Sequence, residues 1–387
     1  MATDAALMTV YRTAVAQAAD ELPAVGVAAA PPPEQDEPST LRHVALEDVY
    51  AVVGSLVGSF GLVWLVFSYV LPLSGVVGFV LCWDVAFLAM YAGVTARSHP
   101  RPVVVSRVMA AVIVGLALLV GFVLMTVVVY VVAHGLDAVR HLNFFTQSAS
   151  AGSLTGTFAQ GGIYNALVGS LIQVGIAIAI ALPLGIGTAV FMTETRGWFV
   201  RVVRTVVEAM TAVPDLLAGL FIYVVFVLPF HGNYPWGHKN GIAVSLALAV
   251  AGTPIIARSA EVALRVVPGG LREAGLALGA SHWQTVRRIV LPTGRPGLAT
   301  ALILAVARMI GESAPLLIVS GFTTFYNANP VDGQPMISLP LYVYETLRSG
   351  QPAEIIRGFG AAVVLLFIVF ILFAATRVLA RQRVSTR

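Results

Sequence analysis

The sequence holds a single cysteine, Cys82, in 387 residues. That count excludes a disulfide framework and any multi-cysteine metal site. It also holds a single lysine, Lys239, which is followed by Asn240. The phosphate-cradling pattern Gly-x-x-x-x-Gly-Lys-Ser/Thr is therefore absent, and ATP cannot be bound by that route. No His-Glu-x-x-His occurs, and the histidines cluster in loops rather than inside apolar runs, so an intramembrane hydrolase lacks the constellation it needs. Charge is scarce: 11% of residues are charged against 58% hydrophobic, with a mean hydropathy of +0.87. No soluble globular domain hides that much apolar surface, so the lipid bilayer is the main solvent. The net charge of +4 and pI near 9.4 do not point to nucleic acid. The arginines sit at the ends of apolar runs, which makes them a topology signal, and no nucleic-acid partner is expected.

Residues 1–48 are Ala-, Pro- and acid-rich around Pro31-Pro-Pro-Glu-Gln-Asp-Glu-Pro38. Such a segment buries too little apolar area to offset its ordering entropy and reads as a disordered cytoplasmic tail. Lacking a basic start and a compact apolar core, it is not a secretory signal. Eight spans follow: Val49–Leu71, Gly75–Val94, Met109–Ala133, Asn165–Met192, Thr205–Phe230, Gly241–Leu264, Gly297–Gly321 and Arg357–Leu379. Each supplies the roughly 20 residues that cross a ~30 Å hydrocarbon core. The expected fold is thus an all-α membrane protein. The first two spans, within residues 49–94, form a hairpin closed by Pro72-Leu-Ser74, and Gly54 and Gly58 are spaced to pack it on its neighbours. Residues 109–380 hold the other six spans, and 381–387 form a C-terminal tail.

One alternating set of connections, with the tails, carries 17 arginines, whereas the opposite set carries Arg140, Lys239, Arg348 and Arg357. Basic loops stay inside, so both termini and the connection 265–296 are expected in the cytoplasm. Pro183, Pro214 and Pro254 interrupt spans and are expected as kinks. Arg258 and Glu261, three apart, are expected to pair. Asp84, an acid at membrane depth in the hairpin, is expected to make a helix contact. The long outward loop Phe322–Glu354 stays open between a disordered connection and a surface that receives a partner.

Within 265–296, Pro268-Gly-Gly270 stops one helix. Leu271, Ala274 and Leu278 then recur at helical spacing, with Glu273 in the first turns. Gly279-Ala280 supplies a turn. Ser281-His-Trp-Gln284 fits a capping box. A second helix places Trp283, Val286 and Val290 on one stripe and is ended by Pro292. Such a helix-turn-helix along the membrane surface, bearing an exposed Trp, suits docking into a partner. An interfacial helix on anionic lipid explains Arg287 and Arg288 but not the spacing of Glu273, Gly279 and Leu291-Pro292. In the seventh span, Arg308 and Glu312 are four apart, hence on one helix face and able to pair. Two charges at that depth are costly unless paired or hydrated, which marks a functional site. Gly311 and Pro315 loosen the backbone where a helix lines protein or a cavity.

The run Glu273-Ala-Gly-Leu-Ala-Leu-Gly279 with Ile289-Val-Leu291-Pro292 resembles the cytoplasmic coupling loop of ABC importer permeases. Ala307-Arg308-Met-Ile-Gly311-Glu312-Ser313-Ala-Pro315-Leu-Leu is similar to the signature of phosphate permeases of the PstA type, with Ser313 where that family usually has Thr. Ala181-Leu-Pro-Leu-Gly-Ile-Gly187 through Glu194, Ala212-Val-Pro214 and Leu339-Pro340-Leu-Tyr-Val-Tyr344 carry weaker likeness. The match runs over roughly Ala166 to Arg381. Gly275 departs from the usual Ala, and Asp215 from the usual small polar residue.

The resemblance implies a type I importer permease core of six helices, with Glu273, Ala274, Gly279, Trp283, Leu291 and Pro292 coupling to an ATPase. It also points to a substrate pathway holding Arg308, Glu312 and Ser313. A guanidinium suits an oxyanion, so Arg308 is expected to meet phosphate and Glu312 to hold Arg308 in the empty state, the alternative being a structural ion pair that locks neighbouring helices. It further implies a PstC-like permease partner, two copies of a phosphate ATPase that carry ATP and Mg, and an extracytoplasmic phosphate-binding protein. No cofactor is expected on this chain, which is then a bacterial inner-membrane transport subunit rather than an enzyme. Two rivals remain: a permease for another oxyanion such as sulfate or molybdate, and a secondary transporter or channel. The latter needs ion-relay acids in several spans, whereas one mid-membrane charge pair is present.

Overall fold

A computed structural model describes residues 46–70, 75–149, 160–232, 234 and 237–381, and among these every regular element is helical. The disordered reading of the tail falls mainly on residues 1–45, outside that set, as do Pro72-Leu-Ser74 and residues 382–387. Two compact units, 1–121 and 122–387, divide the chain.

In the first unit, α1 (Leu46–Leu65, extended by a π-turn to Val70) and α2 (Val76–Ala96) form the expected hairpin. Phe60 packs edge-on against Phe79 and Trp83, and the Trp83 indole donates to the Leu56 carbonyl at 3.3 Å. Gly58 faces Met90 inside this hairpin, while a Cβ at Gly54 would meet nothing within 4 Å. Asp84 is exposed on α2.

The second unit begins within α3 (Arg101–Val139), whose apolar run is longer than the span predicted, and continues through the short α4 (Asn143–Thr146). Its centre is α5 (Tyr164–Glu194) against α8 (Gly241–Arg265). Lipid gives no hydrophobic drive between helices, so small residues that let backbones approach are favoured. Ala177, Ala181, Ala189, Ala243, Ala247, Ala257 and Ala260 are all buried, and Gly185 touches Ile256. Asn240 caps α8 by accepting from the Ala243 amide at 2.9 Å.

Among the described residues, seven helices are long and apolar enough to span a membrane; a pair bent by 102°, Trp198–Ala212 with Asp215–Phe230, makes eight if taken as one crossing. The predicted span Thr205–Phe230 bends at Pro214, where a kink was expected, and the bend is a complete break. It divides into α6 (Trp198–Ala212) and α7 (Asp215–Ile222, continued by π and 3-10 turns to Phe230). The residue before a proline is driven out of the helical region, and Val213 is extended, with ψ 130°. Pro183 and Pro254 remain inside continuous helices.

The predicted span Gly297–Gly321 also divides, into α11 (Leu291–Gly311) and α12 (Ala314–Val319). Before it come α9 (Gly269–Ala277), α10 (His282–Thr285) and a π-turn, Val286–Val290. Pro292 does not end a helix as predicted; it sits in the first turn of α11, and His282–Gly311 runs on as one helical stretch. The wider π-turn precedes Pro292, so the amide that proline lacks falls at a register change rather than within a regular ladder.

The loop Phe322–Glu354 is ordered rather than a disordered connection. Asn327, Asn329 and Asp332 fold it by capping nearby amides, and it carries α13 (Leu339–Arg348) before α14 (Pro352–Arg381). Gln173 and Ser320 both donate to the Met336 carbonyl at 2.7 Å, and Ser170 accepts from the Leu339 amide at 2.7 Å. Burial pushes the Tyr342 phenol of α13 up to about 12, so it stays neutral.

A Cβ at Gly169 would lie 1.9 Å from the Ile337 carbonyl oxygen, whereas one at Gly175 meets nothing within 4 Å. Gly169→Val is expected to lower stability by roughly 1–3 kcal/mol through overpacking. Thermal unfolding of the detergent-solubilised protein checks this, with Gly175→Val as the control that leaves the midpoint in place.

Candidate functional site

The two broken spans meet. Gly219 of α7 lies so close to Pro315 of α12 that an added Cβ would stand 2.6 Å from the Pro315 carbonyl oxygen. At this junction Arg308 Nη2 donates to Asp215 Oδ2 at 3.1 Å. Each charge also suits its helix end: Asp215 opens α7, and Arg308 lies in the last turn of α11.

This corrects the pairing read from spacing. Residues four apart share a face only while the helix continues. Here α11 stops at Gly311, and Glu312 is extended, with ψ 125°. Glu312 then lies beside Asp215, within electrostatic reach of Arg308. Ser313 is half-buried and precedes α12 without capping it through its hydroxyl. The structure thus brings Arg308, Glu312 and Ser313 together and adds Asp215. The one signal for Asp215 was an acid directly after Val213-Pro214 in an apolar run.

The second cluster is the surface pair α9–α10. Gly279 takes φ +83°, a left-handed turn that favours glycine. The capping box forms in full: Ser281 Oγ accepts from the Gln284 amide at 3.3 Å, and Gln284 Oε1 accepts from the Ser281 amide at 2.9 Å. Gly275 is buried, and a Cβ there would sit 2.7 Å from Ile289 Cδ1. The departure to glycine thus permits a closer seat of α9 on the following helix.

Glu273 and Ala274 are exposed, as are Leu278 at 89% and Trp283 at 63%. Val286 and Val290 are buried, so the single stripe predicted for Trp283, Val286 and Val290 is corrected: only the two valines face inward. Leu291 and Pro292 are half-buried.

Arg272 fixes this element to the bundle. Its Nε and Nη2 donate to Glu194 Oε1 at 3.1 and 2.9 Å, and it donates to the carbonyls of Val267 and Leu264 at 2.8 and 3.1 Å. One guanidinium therefore ties the end of α5, the end of α8 and the start of α9. Glu261, with a side chain 3% exposed, receives Arg204, Arg258 and Arg265 at 3.0, 3.2 and 2.7 Å. The pairing of Arg258 with Glu261 was legible at three residues' separation. Arg204 and the Glu194–Arg272 link lay 57 and 78 residues away from their partners, beyond any spacing rule.

Irregular backbone at membrane depth is tolerated only where it is buried in protein or lines a cavity, and transporters build their sites from such broken helices. An all-α bundle with two broken spans meeting over an ion pair is of the membrane-transport class. The chain belongs to the family described as binding-protein-dependent transport system inner membrane component, whose pattern matches residues 181–384. It is accordingly a multi-pass inner-membrane protein.

Among relatives, it is 40% identical over 259 residues to the phosphate transport system permease protein PstA of Mycobacterium leprae, covering 66% of this chain and 83% of that one. It is 37% identical to PstA 1 of Mycobacterium tuberculosis strain H37Rv, covering 64% and 80%. It is 33% identical to PstA of Haemophilus influenzae, covering 54% and 70%. A chain of the inward-facing MetNI methionine ABC transporter is similar at 23% identity and a TM-score of 0.45, covering 57% of this chain and 94% of that one.

Removing the Arg272 guanidinium should free the surface element locally without unfolding the bundle. Arg272→Ala is expected to speed protease cleavage between 268 and 281 several-fold. Arg287→Ala, on an exposed position, is expected to leave the rate at the wild-type value.

Proposed function

We propose that this chain is the membrane permease subunit of an ATP-driven importer of inorganic phosphate. The observation that carries the reading is the guanidinium of Arg308, held where two broken spans meet, in a chain whose relatives are named phosphate permeases. A guanidinium stays charged at any accessible pH and forks N–H donors toward phosphate oxygens. In this reading Arg308 meets phosphate transiently, with Glu312 and Ser313 lining the same junction.

ATP is hydrolysed on a separate subunit, because this sequence lacks a P-loop. Glu273, Ala274, Gly279, Trp283, Leu291 and Pro292 belong to the element that docks there, and the exposure of Trp283 and Leu278 beside the left-handed Gly279 supports that role. Both termini face the cytoplasm, as the arginine distribution implies. The working assembly pairs this chain with a PstC-like permease, two copies of an ATPase carrying ATP and Mg, and an extracytoplasmic phosphate-binding protein. Transport follows from linkage: nucleotide binds one bundle arrangement better than the other and shifts the population.

Co-purification of the four kinds of subunit and ATP-dependent phosphate uptake by the reconstituted complex test the assignment. Uptake of sulfate or molybdate in place of phosphate would establish the other-oxyanion reading. Arg308→Gln and Arg308→Lys are expected to reduce uptake at least tenfold, about the weight of a charge-assisted hydrogen bond pair, while the complex still assembles. Wild-type uptake by Arg308→Gln would exclude the pathway role. Gly279→Trp, which strains the turn and adds bulk on the docking face, is expected to abolish uptake while the protein still inserts in the membrane; normal uptake would refute the coupling role.

A further inference from the structure

Arg308 is already occupied by an oxygen of the protein itself. The contact of Asp215 Oδ2 with Arg308 Nη2, at 3.1 Å, is of the kind that a phosphate oxygen makes with a guanidinium. The side chains of this pair are 57% and 26% exposed, so this chain's own residues do not enclose it. Glu261, at 3% exposure under three arginines, is the contrasting case of a fixed structural cluster. The ends of the two pairs differ as well. Arg308 and Asp215 sit on the termini of two separate helices, α11 and α7, which need only part slightly to release each other. With Glu312 beside Asp215, the junction holds two acids for one base.

Resting on the reading of Arg308 as the phosphate contact, we propose that Asp215 is a positioning residue that serves as a tethered counter-anion. It holds Arg308 in the empty transporter, and arriving phosphate displaces it. Because the carboxylate remains attached nearby, it competes for the guanidinium throughout the visit of phosphate and speeds release. In the empty state, the same occupancy denies Arg308 to free anions and closes the pathway to them. Glu312 lies within electrostatic reach of Arg308 but forms no ion pair with it, and leaves this task to Asp215.

The test uses the complete transporter in proteoliposomes loaded with phosphate, with Asp215→Asn removing the charge at constant shape and Asp215→Glu retaining it. Asp215→Asn is expected to raise phosphate leak in the absence of ATP on the order of tenfold, the weight of one charge-assisted hydrogen bond. It is also expected to lower the maximal rate of ATP-driven uptake. Asp215→Glu is expected to restore the seal and most of the rate. An assembled Asp215→Asn complex as tight as wild type overturns the proposal. So does a leak from Asp215→Glu equal to that from Asp215→Asn, or failure of Asp215→Asn to assemble, which marks the pair as structural. Arg308→Gln separates the two levels. If it still transports, the phosphate-contact reading has failed; if it is inactive while Asp215→Asn is tight, only the counter-anion role has failed.

Discussion

Lipid offers no hydrogen bonds, and the architecture of this chain depends on that constraint. Any backbone group freed at membrane depth must find a partner in protein or in a hydrated cavity. Most of the bundle obeys by staying helical, and Pro183 and Pro254 are absorbed inside continuous helices. The two places that do not stay helical, Val213-Pro214 and Glu312-Ser313, lie on elements that pack against each other through Gly219 and Pro315. Breaks confined to one junction gather a guanidinium and two carboxylates there, at the ends of helices rather than along their sides. The irregularity and the charge explain each other: broken backbone needs a polar surround, and the charges need a site away from lipid.

The spans were legible because a run of some twenty apolar residues has few alternative fates. The surface helix pair was legible for a different reason: Gly279 and the Ser281–Gln284 box are local signals, complete within a few residues. What the sequence hid was how completely the helices break at Pro214 and Glu312. Three prolines looked alike, but only Pro214 follows a β-branched residue and precedes an acid able to open a new helix. Once the helix stops at Gly311, the four-residue spacing of Arg308 and Glu312 no longer places them on one face, and the partner of Arg308 comes from 93 residues away. Glu194 and Arg272 were hidden by the same distance effect. Pro292 misled in the opposite direction, since a π-turn lets the chain pass through it as helix.

Two kinds of ionic contact divide the labour on this bundle. Glu261 and Glu194 are buried carboxylates, each reached by one arginine from another element, Arg204 and Arg272, which link α6 to α8 and α9 to α5. Removing one partner of such a group is costly because the other is left unpaired in a poor solvent. The Arg308–Asp215 pair is open by comparison, joined by a hydrogen bond of 3.1 Å between helix ends. Rigidity at the surface element and looseness at the junction are what a machine driven from its edge requires.

The unbroken course of His282–Gly311 has a mechanical consequence. Its 30 residues make a rod of roughly 45 Å, with Trp283 near one tip and Arg308 near the other. A tilt of about 5° around its midpoint swings each tip through roughly 2 Å. That travel is comparable with the 3.1 Å separating Arg308 from Asp215, so a small rocking of one lever is enough to part the two charges without remaking any helix.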